Sequence, residues 1–247
     1  YTLTEIAGDL FFVGSSRAGV HQVFMSQAVN MIPVSTKAIE SQLTYYGDLL
    51  ATARGFTYQQ EGHIFYVLHI DGDGVDKKPL TLVYDVSERE WHERESRNPV
   101  TNEKGLWAVD GVAVFGQRIL AASSQYKALL EITPGVYSEY DPSTTSKTRP
   151  LVRTWNLPQI WDGLQLVRHH RLCIDIQQGY VPLGLQPKVM MSISDDGGAS
   201  YKGQAPINIG LTGQFTHRLV RHCLGSSRMR VYEISISDPV QFTAVGV

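Results

Sequence analysis

Across 247 residues the chain carries only two cysteines, and no apolar run approaches the roughly 20 residues that a helix needs to cross a bilayer. The first scarcity excludes a disulfide-stapled scaffold. The second leaves no helical membrane span to expect. Cys173 and Cys223 each sit within an apolar, strand-like run, which predicts two buried free thiols and a reducing compartment, although their pairing is not decided by sequence. Charge of one sign is also scarce: 22 Lys+Arg stand against 24 Asp+Glu, a net charge of −2. No global field would draw in a polyanion, which argues against a dedicated nucleic-acid binder and leaves room only for a local basic patch. There is no Gly-x-x-x-x-Gly-Lys-Ser loop, no Gly-x-Gly-x-x-Gly after a strand and no Gly-x-Ser-x-Gly elbow. No nucleotide cofactor and no catalytic residue are therefore expected, and the chain reads as no enzyme.

What is present is recurrence. Gly8, Gly62 and Gly116 stand 54 residues apart, and each opens a run that reads as a buried strand: Gly8–Gly14, Gly62–Leu68 and Gly116–Ala122. A second strand-like run follows each, at His21–Met25, Leu80–Val86 and Lys127–Ile132. Regular recurrence on this scale marks arrays and propellers, whose units cannot bury their apolar faces alone. Hydrophobic content of 43% with 19% charged residues suits one large all-β domain or two smaller ones.

The first unit, about residues 1–34, is expected to hold strands at Asp9–Val13, Gln22–Met25 and Asn30–Val34. A short helix over Thr36–Leu43 follows from the spacing of Ile39 and Leu43, with Ser35 or Thr36 as N-cap and Gly47 as terminator. The second unit, about 48–96, reads as four strands, Leu50–Gln59, His63–Ile70, Leu80–Val86 and Trp91–Arg94, the number in one propeller blade. The third, about 105–150, repeats the plan with Leu106–Phe115, Ile119–Ser123, Ala128–Ile132 and Tyr137–Tyr140, closed by the polar loop Asp141–Thr148. Beyond residue 150 the spacing is lost. Leu164–Ile176, Lys188–Ser194 and Ser226–Ile236 alternate, as one larger sheet or a small sandwich. The expected fold is all-β and β-propeller-like, with repeated blades over 1–150 and a C-terminal β unit over 151–247.

Ser194-Asp-Asp-Gly-Gly-Ala-Ser-Tyr201 fits the Asp-box pattern Ser-x-Asp-x-Gly-x-Thr-Trp. Its physics is a tight hairpin: Asp196 accepts backbone N–H bonds across the turn, Gly197 and Gly198 take positive φ, Ser194 and Ser200 flank it, and Tyr201 packs under the sheet. The box serves structure in sialidases, away from their catalytic centre. No metal site is expected. His169 and His170 point to opposite faces of a strand, and Asp71-Gly-Asp-Gly-Val-Asp76 lacks the acid at its twelfth position, where Leu82 stands. Glu61 with His63, and His92 with Glu93, have no spacing that singles them out as acid–base pairs. Arg218, Arg221, Arg228 and Arg230 read as a solvated edge or an ion-pair surface between subunits, with Arg228 and Arg230 on one face.

Three stretches together resemble the packaged-DNA stabilisation proteins, or tail-hub proteins, of short-tailed bacteriophages. They are Gly55–Tyr66 with Val83–Val86 and Trp91–Arg94, then Ser192–Gly198, then Leu224–Arg228 leading to Ser235–Val240. The resemblance implies a structural protein of the virion tail, made in the host cytoplasm, built around a β-propeller and assembled as a homo-oligomeric ring, a hexamer. Its implied partners are the portal adaptor and the tail needle or plug. No specific nucleic-acid binding, no membrane, no cofactor and no catalytic residue are implied. Family members extend further at the N-terminus, so this chain, which opens at Tyr1, is expected to be the C-terminal part. The implied mechanism is passive closure of the tail channel over packaged DNA.

Two other functions fit the same composition. One is a sialidase-like Asp-box propeller glycosidase, which needs an arginine cluster facing a Tyr/Glu pair and an Asp. The other is a carbohydrate- or receptor-binding tail module, with exposed aromatics such as Trp155 and Trp161 lining a groove.

Overall fold

The computed structural model describes residues 2–27, 30–98, 100–101, 103–163, 165–177, 181–182, 184–214 and 217–246. The chain is all-β apart from one short helix, and it divides into two units, Tyr1–Thr133 and Pro134–Val247. The boundary thus falls before residue 150, just after the strand Ala128–Ile132.

Unit 1 is built from up-and-down sheets. The first joins β1 (Thr4–Ile6), β2 (Asp9–Ser15), β3 (His21–Gln27) and β4 (Asn30–Pro33) in sequence order. β1 is a strand the sequence pattern does not announce. The helix α1 (Lys37–Tyr46) follows, with the Thr36 hydroxyl accepting from the Ile39 N–H and Gly47 (φ 53°) ending it. A 3₁₀ turn over Gly47–Thr52 takes up the first residues of the expected Leu50–Gln59 strand. The second sheet is β5 (Arg54–Gln60), β6 (His63–Ile70), β7 (Leu80–Asp85) and β8 (Glu90–Glu93), again in order. A small hairpin, β9 (Glu95–Arg97) with β10 (Lys104–Leu106), leads to a third sheet of β11 (Gly111–Phe115), β12 (Arg118–Ser123) and β13 (Ala128–Ile132).

The recurring glycines lie in the hairpin turns that join the first two strands of these sheets. Ile6 pairs with Asp9 and Gln60 with His63, so Ala7-Gly8 and Glu61-Gly62 are two-residue loops. Both residues of each loop have positive φ, the type I′ geometry that matches the twist of a hairpin. In the third sheet Phe115 pairs with Arg118 around Gly116-Gln117, and of these two only Gly116 has positive φ. Glycine has moved from the second to the first central position, as a type II′ turn requires. The structural offset between the second and third sheets is therefore one residue more than the glycine spacing. Because side chains alternate, that one residue decides which face each covers.

The sheets stack face on face. Phe11, Val13, Val23 and Met25 of the first sheet meet Tyr66, Leu68, Leu82 and Tyr84 of the second in one core, with Ile39, Leu43 and Tyr46 of α1. The opposite face of the second sheet, Phe56, Tyr58, Phe65, Val67 and Val83, packs on Trp107, Val112 and Ile119. Val67 and Val83 are fully buried; shielding such a side chain from water contributes about 1.5–3 kcal/mol. This is the arrangement of propeller blades.

The expected fourth strand of the third blade belongs elsewhere. Pro134-Gly135 turns the chain away after β13, and β14 (Ser138–Tyr140) pairs with β15 (Thr148–Pro150). That local hairpin is held by Asp141, whose N–H donates to Lys147 O (3.0 Å) and whose Oδ1 accepts from Ser143 N (2.9 Å). A short loop closed by its own hydrogen bonds costs less entropy than a distant pairing.

The rest of unit 2 is a small sandwich. Its larger sheet runs β16 (Arg153–Asn156), β24 (Met229–Ile236), β20 (Lys188–Ser194) and β21 (Lys202–Asn208), with β17 (Ile160–Trp161) also on β24. β18 (Val167–Arg168) pairs β23 (Ser226–Ser227), and β22 (Leu219–His222), β19 (Arg171–Ile176) and β25 (Ala244–Gly246) make the smaller sheet. Leu172, Ile174 and Leu219 of the smaller sheet share one core with Val189, Met191, Tyr232 and Ile234 of the larger. Leu164, where the expected alternation begins, lies outside the described residues.

Candidate functional site

The Asp-box hairpin joins β20 to β21, two antiparallel neighbours whose ends must reverse within a few residues. The Ser194 hydroxyl donates to Asp196 Oδ1 (2.6 Å) and accepts from the Gly198 N–H (2.8 Å). Asp196 Oδ1 also accepts from the Ser200 N–H (2.9 Å), and its Oδ2 from the Ser200 hydroxyl. Gly197 and Gly198 have φ of 76° and 97°. Tyr201 is half-buried. The hydroxyls of Ser194 and Ser200 and the Ser200 N–H hold the Asp196 carboxyl far below the usual carboxylate range. Its oxygens are spent on the turn.

Asp195, next in sequence, faces other partners. It accepts from Arg230 Nε at 2.7 Å and Lys202 Nζ at 3.0 Å. Burial alone would raise the Asp195 pKa, but the two cations hold it below the usual range. Arg230 is buried, donates to the Leu224 carbonyl and lies over the Tyr232 ring. This corrects the expected solvated edge: Arg230 alternates in step with core residues Tyr232 and Ile234 of β24 and so turns inward, whereas Arg228 is exposed. Arg218 pairs with Asp175 at 3.0 Å.

In unit 1, Arg94 just after β8 reaches three rings, lying 4.7 Å from Trp107, 5.1 Å from Phe65 and 5.7 Å from Tyr58. It also donates to the Tyr58 hydroxyl and to His92 Nε2. Cation–π contacts of this kind contribute about 0.5–2 kcal/mol each. They fasten the second sheet to the loop that follows β10. His63 pairs with Asp85 (2.7 Å) rather than Glu61, and Glu93 accepts from Gln42 (3.1 Å) rather than joining His92. Asp85 is committed on its other oxygen to the Ser87 and Glu88 N–H groups. Asp73 likewise closes the Asp71–Pro79 loop by accepting from Val75, Asp76 and Lys77 N–H groups. His69 is buried, its Nε2 has no hydrogen-bond partner, and burial lowers its pKa to about 4.

A cleft of about 270 Å³ opens in unit 2, lined by Gln186, Pro187, Asn208, Gly210, Leu211, Gln214 and His217. His217 Nε2 lies 2.9 Å from the Asn208 carbonyl, to which it donates. Gln214 Oε1 accepts from the Leu211 N–H (3.0 Å), leaving its amide hydrogens as donors. These groups are close in space but dispersed from residue 186 to 217 in the chain, so no motif in the sequence marks them. Among the described residues no group of three His, Cys, Asp or Glu side chains is placed to hold a metal.

The remaining sequence candidates are dispersed. His169 is buried against the Ser227 hydroxyl (2.9 Å) and His170 is exposed. Trp155 stands opposite Ile234 and Trp161 opposite Met229, an odd number of residues along β24, so the two rings lie on opposite faces and line no common groove. Both cysteines are free thiols, but Cys223 is exposed and Cys173 only half-buried, because Cys223 sits at a positive-φ turn (58°) after β22 instead of inside a strand.

No family model matches the chain, and no curated protein does. Solved structures do. An exo-β-1,3-galactanase from Phanerochaete chrysosporium with galactose matches at 9% identity and a TM-score of 0.24, over 98% of this chain and 54% of that one. A glycoside hydrolase family 43 arabinoxylan arabinofuranohydrolase from Bacillus subtilis, in complex with cellotetraose, matches at 11% identity and a TM-score of 0.25, over 98% and 51%. The chain spans about half the length of these proteins. That they are glycoside hydrolases overturns the expectation of a chain that is no enzyme, and the expectation is dropped. At these scores the likeness itself assigns no activity.

Proposed function

We propose that the chain is a propeller-like building block of a virion tail, the hub that stabilises packaged DNA. The observation that carries this is the unfinished stack of unit 1. Its outer faces bear Leu10 and Met31 at one end and Phe115 and Leu129 at the other, the last two exposed at 74% and 68%. Large apolar side chains exposed together on one sheet face are the kind of surface that takes part in protein contacts. Side chains that lock loops, such as Asp73, Asp85 and Asp196, give the stiffness a building block needs. The portal adaptor and a tail plug are the partners on this reading, and the exposed loops between strands are where they would dock. Adding the protein to DNA-filled particles that lack their hub tests it: retained DNA is expected, and leakage equal to untreated particles contradicts it.

The unit 2 cleft favours a second reading, a module that binds carbohydrate. Amide donors, the His217 imidazole and the apolar Leu211 and Pro187 suit a hydroxyl-rich ring, and the cleft is close to the smallest ligand pockets, about 300 Å³. Glycan-array binding lost on Asn208→Ala or Gln214→Ala would support it. Chromogenic glycosides assayed alongside would reveal turnover, the mark of a propeller glycosidase.

A further inference from the structure

We propose that unit 2 carries a binding surface for an acidic polysaccharide, a chain of sugars bearing carboxylate or sulfate groups. The inference goes beyond both readings above and uses residues apart from the cleft. No Asp or Glu stands between Asp162 and Asp175, or between Asp196 and Glu233. The fold lays these acid-free stretches side by side. Val167 and Arg168 pair with Ser227 and Ser226, and Arg171 to Ile174 pair with His222 to Leu219. Between them the His169 N–H donates to the Gly225 carbonyl (2.8 Å) and the Cys223 N–H to the His170 carbonyl (3.0 Å). The result is one continuous antiparallel ribbon. Arg168, Arg171, Arg221 and Arg228 are exposed on it or at its end, with His170 and His222. Arg171 and His222 stand directly opposite each other.

Among the described residues none of these four arginines has a carboxylate partner, whereas Arg218 pairs with Asp175 and the buried Arg230 with Asp195. Exposed cations gathered in one place repel one another, and an arriving polyanion relieves that repulsion. No lysine lies on the ribbon. A planar guanidinium, unlike an ammonium, grips two oxygens of a carboxylate, sulfate or phosphate at once. Spacing then favours a sugar polymer over nucleic acid. Arg168 and Arg171 are three residues apart, about 10 Å at about 3.3 Å per residue. Phosphates along one strand of duplex DNA follow at about 3.4 Å, so most of them would meet no cation here. No Phe, Tyr or Trp lies on the ribbon to stack an unpaired base. A polysaccharide with an acidic group on every second sugar suits the wider interval.

Isothermal titration of the full chain with hyaluronan, which carries carboxylates, and with kappa-carrageenan, which carries sulfates, tests this. Neutral dextran and a short DNA duplex of mixed sequence serve as comparisons. At least one charged polysaccharide is expected to bind, which one telling carboxylate from sulfate, and to bind more weakly as salt is raised. Neutral dextran is expected not to bind. Arg168→Ala with Arg228→Ala, and Arg171→Ala with Arg221→Ala, should each weaken binding at least about tenfold. All four side chains are exposed, so circular dichroism and thermal melting should be unchanged. Arg17→Ala with Lys78→Ala removes the same charge from exposed sites in unit 1 and should leave binding as it was. Wild type that binds neither polyanion, folded ribbon variants that bind like wild type, or an equal loss in the unit 1 variant would overturn the proposal. DNA bound as tightly as the polysaccharide would replace it with a nucleic-acid surface. Asn208→Ala, which tests the cleft, is expected to leave this binding intact, so the cleft reading and the ribbon fail separately.

Discussion

Asp195 and Asp196 are adjacent in the chain and hold different things: one neutralises a buried arginine, the other ties a turn. The difference is measurable. Removing Asp195 strands the Arg230 guanidinium, which is 3% exposed, without its charge partner. Asp195→Ala should destabilise the protein by about 2 kcal/mol, less than the roughly 3–5 kcal/mol for breaking a fully buried pair because Asp195 itself is partly solvated. Urea denaturation reads this, and a change within about 0.5 kcal/mol, as for an ordinary surface site, would contradict the buried pair. His69 gives the residue-scale pH prediction. In the unfolded chain it titrates near its ordinary value of about 6.5. In the folded protein burial lowers that to about 4. Between these values the unfolded chain takes up a proton that the folded one refuses, so this contribution is complete above pH 6.5 and is lost as the pH falls towards 4. His69→Phe should leave stability at pH 7.5 unchanged or raised, since an unpartnered buried nitrogen is removed, and should flatten the decline between pH 6.5 and 5. A decline as steep as in wild type would place the proton uptake elsewhere.

At the scale of elements, the hairpin turns carry the fold. Gly62 has φ of 85°, a conformation that costs a residue with a Cβ about 1–2 kcal/mol. Gly62→Ala should lower stability by that amount in chemical denaturation, and an unchanged midpoint would mean the turn is not type I′. The second sheet was legible almost strand for strand, because its apolar alternation and its Glu61-Gly62 turn point to the same pairing. α1 was legible too, since Thr36, the Ile39–Leu43 spacing and Gly47 agree on its ends. Other elements were not. β1 is three residues long, too short for a period to show. β14 follows the alternation of a fourth blade strand, yet its partner is set by the Asp141 loop, a local hydrogen-bond choice that periodicity does not report. Arg230 and the Trp155–Trp161 pair turned on facing, which depends on register. The cleft residues gather only when β21 and the loops beside it come together, so their spacing had nothing to show.

For the whole molecule, unit 1 is a propeller-like stack in which each apolar sheet covers its neighbour, and unit 2 is a sandwich with a core of its own. That account depends on the direction in which the third sheet faces. A strict repeat of the glycine spacing would carry the buried Val67 onto Ala121 and leave Ala121 on the open end. The structure instead buries Ala121 completely and exposes Ala122. The deciding measurement is therefore urea denaturation of Ala121→Asp beside Ala122→Asp. A charge forced into the stack at position 121 should cost several kcal/mol or prevent folding, while the same charge at 122 should shift stability by no more than about 0.5 kcal/mol. A tolerated aspartate at 121 with an unfolded protein at 122 would reverse the sheet's facing and contradict the stack.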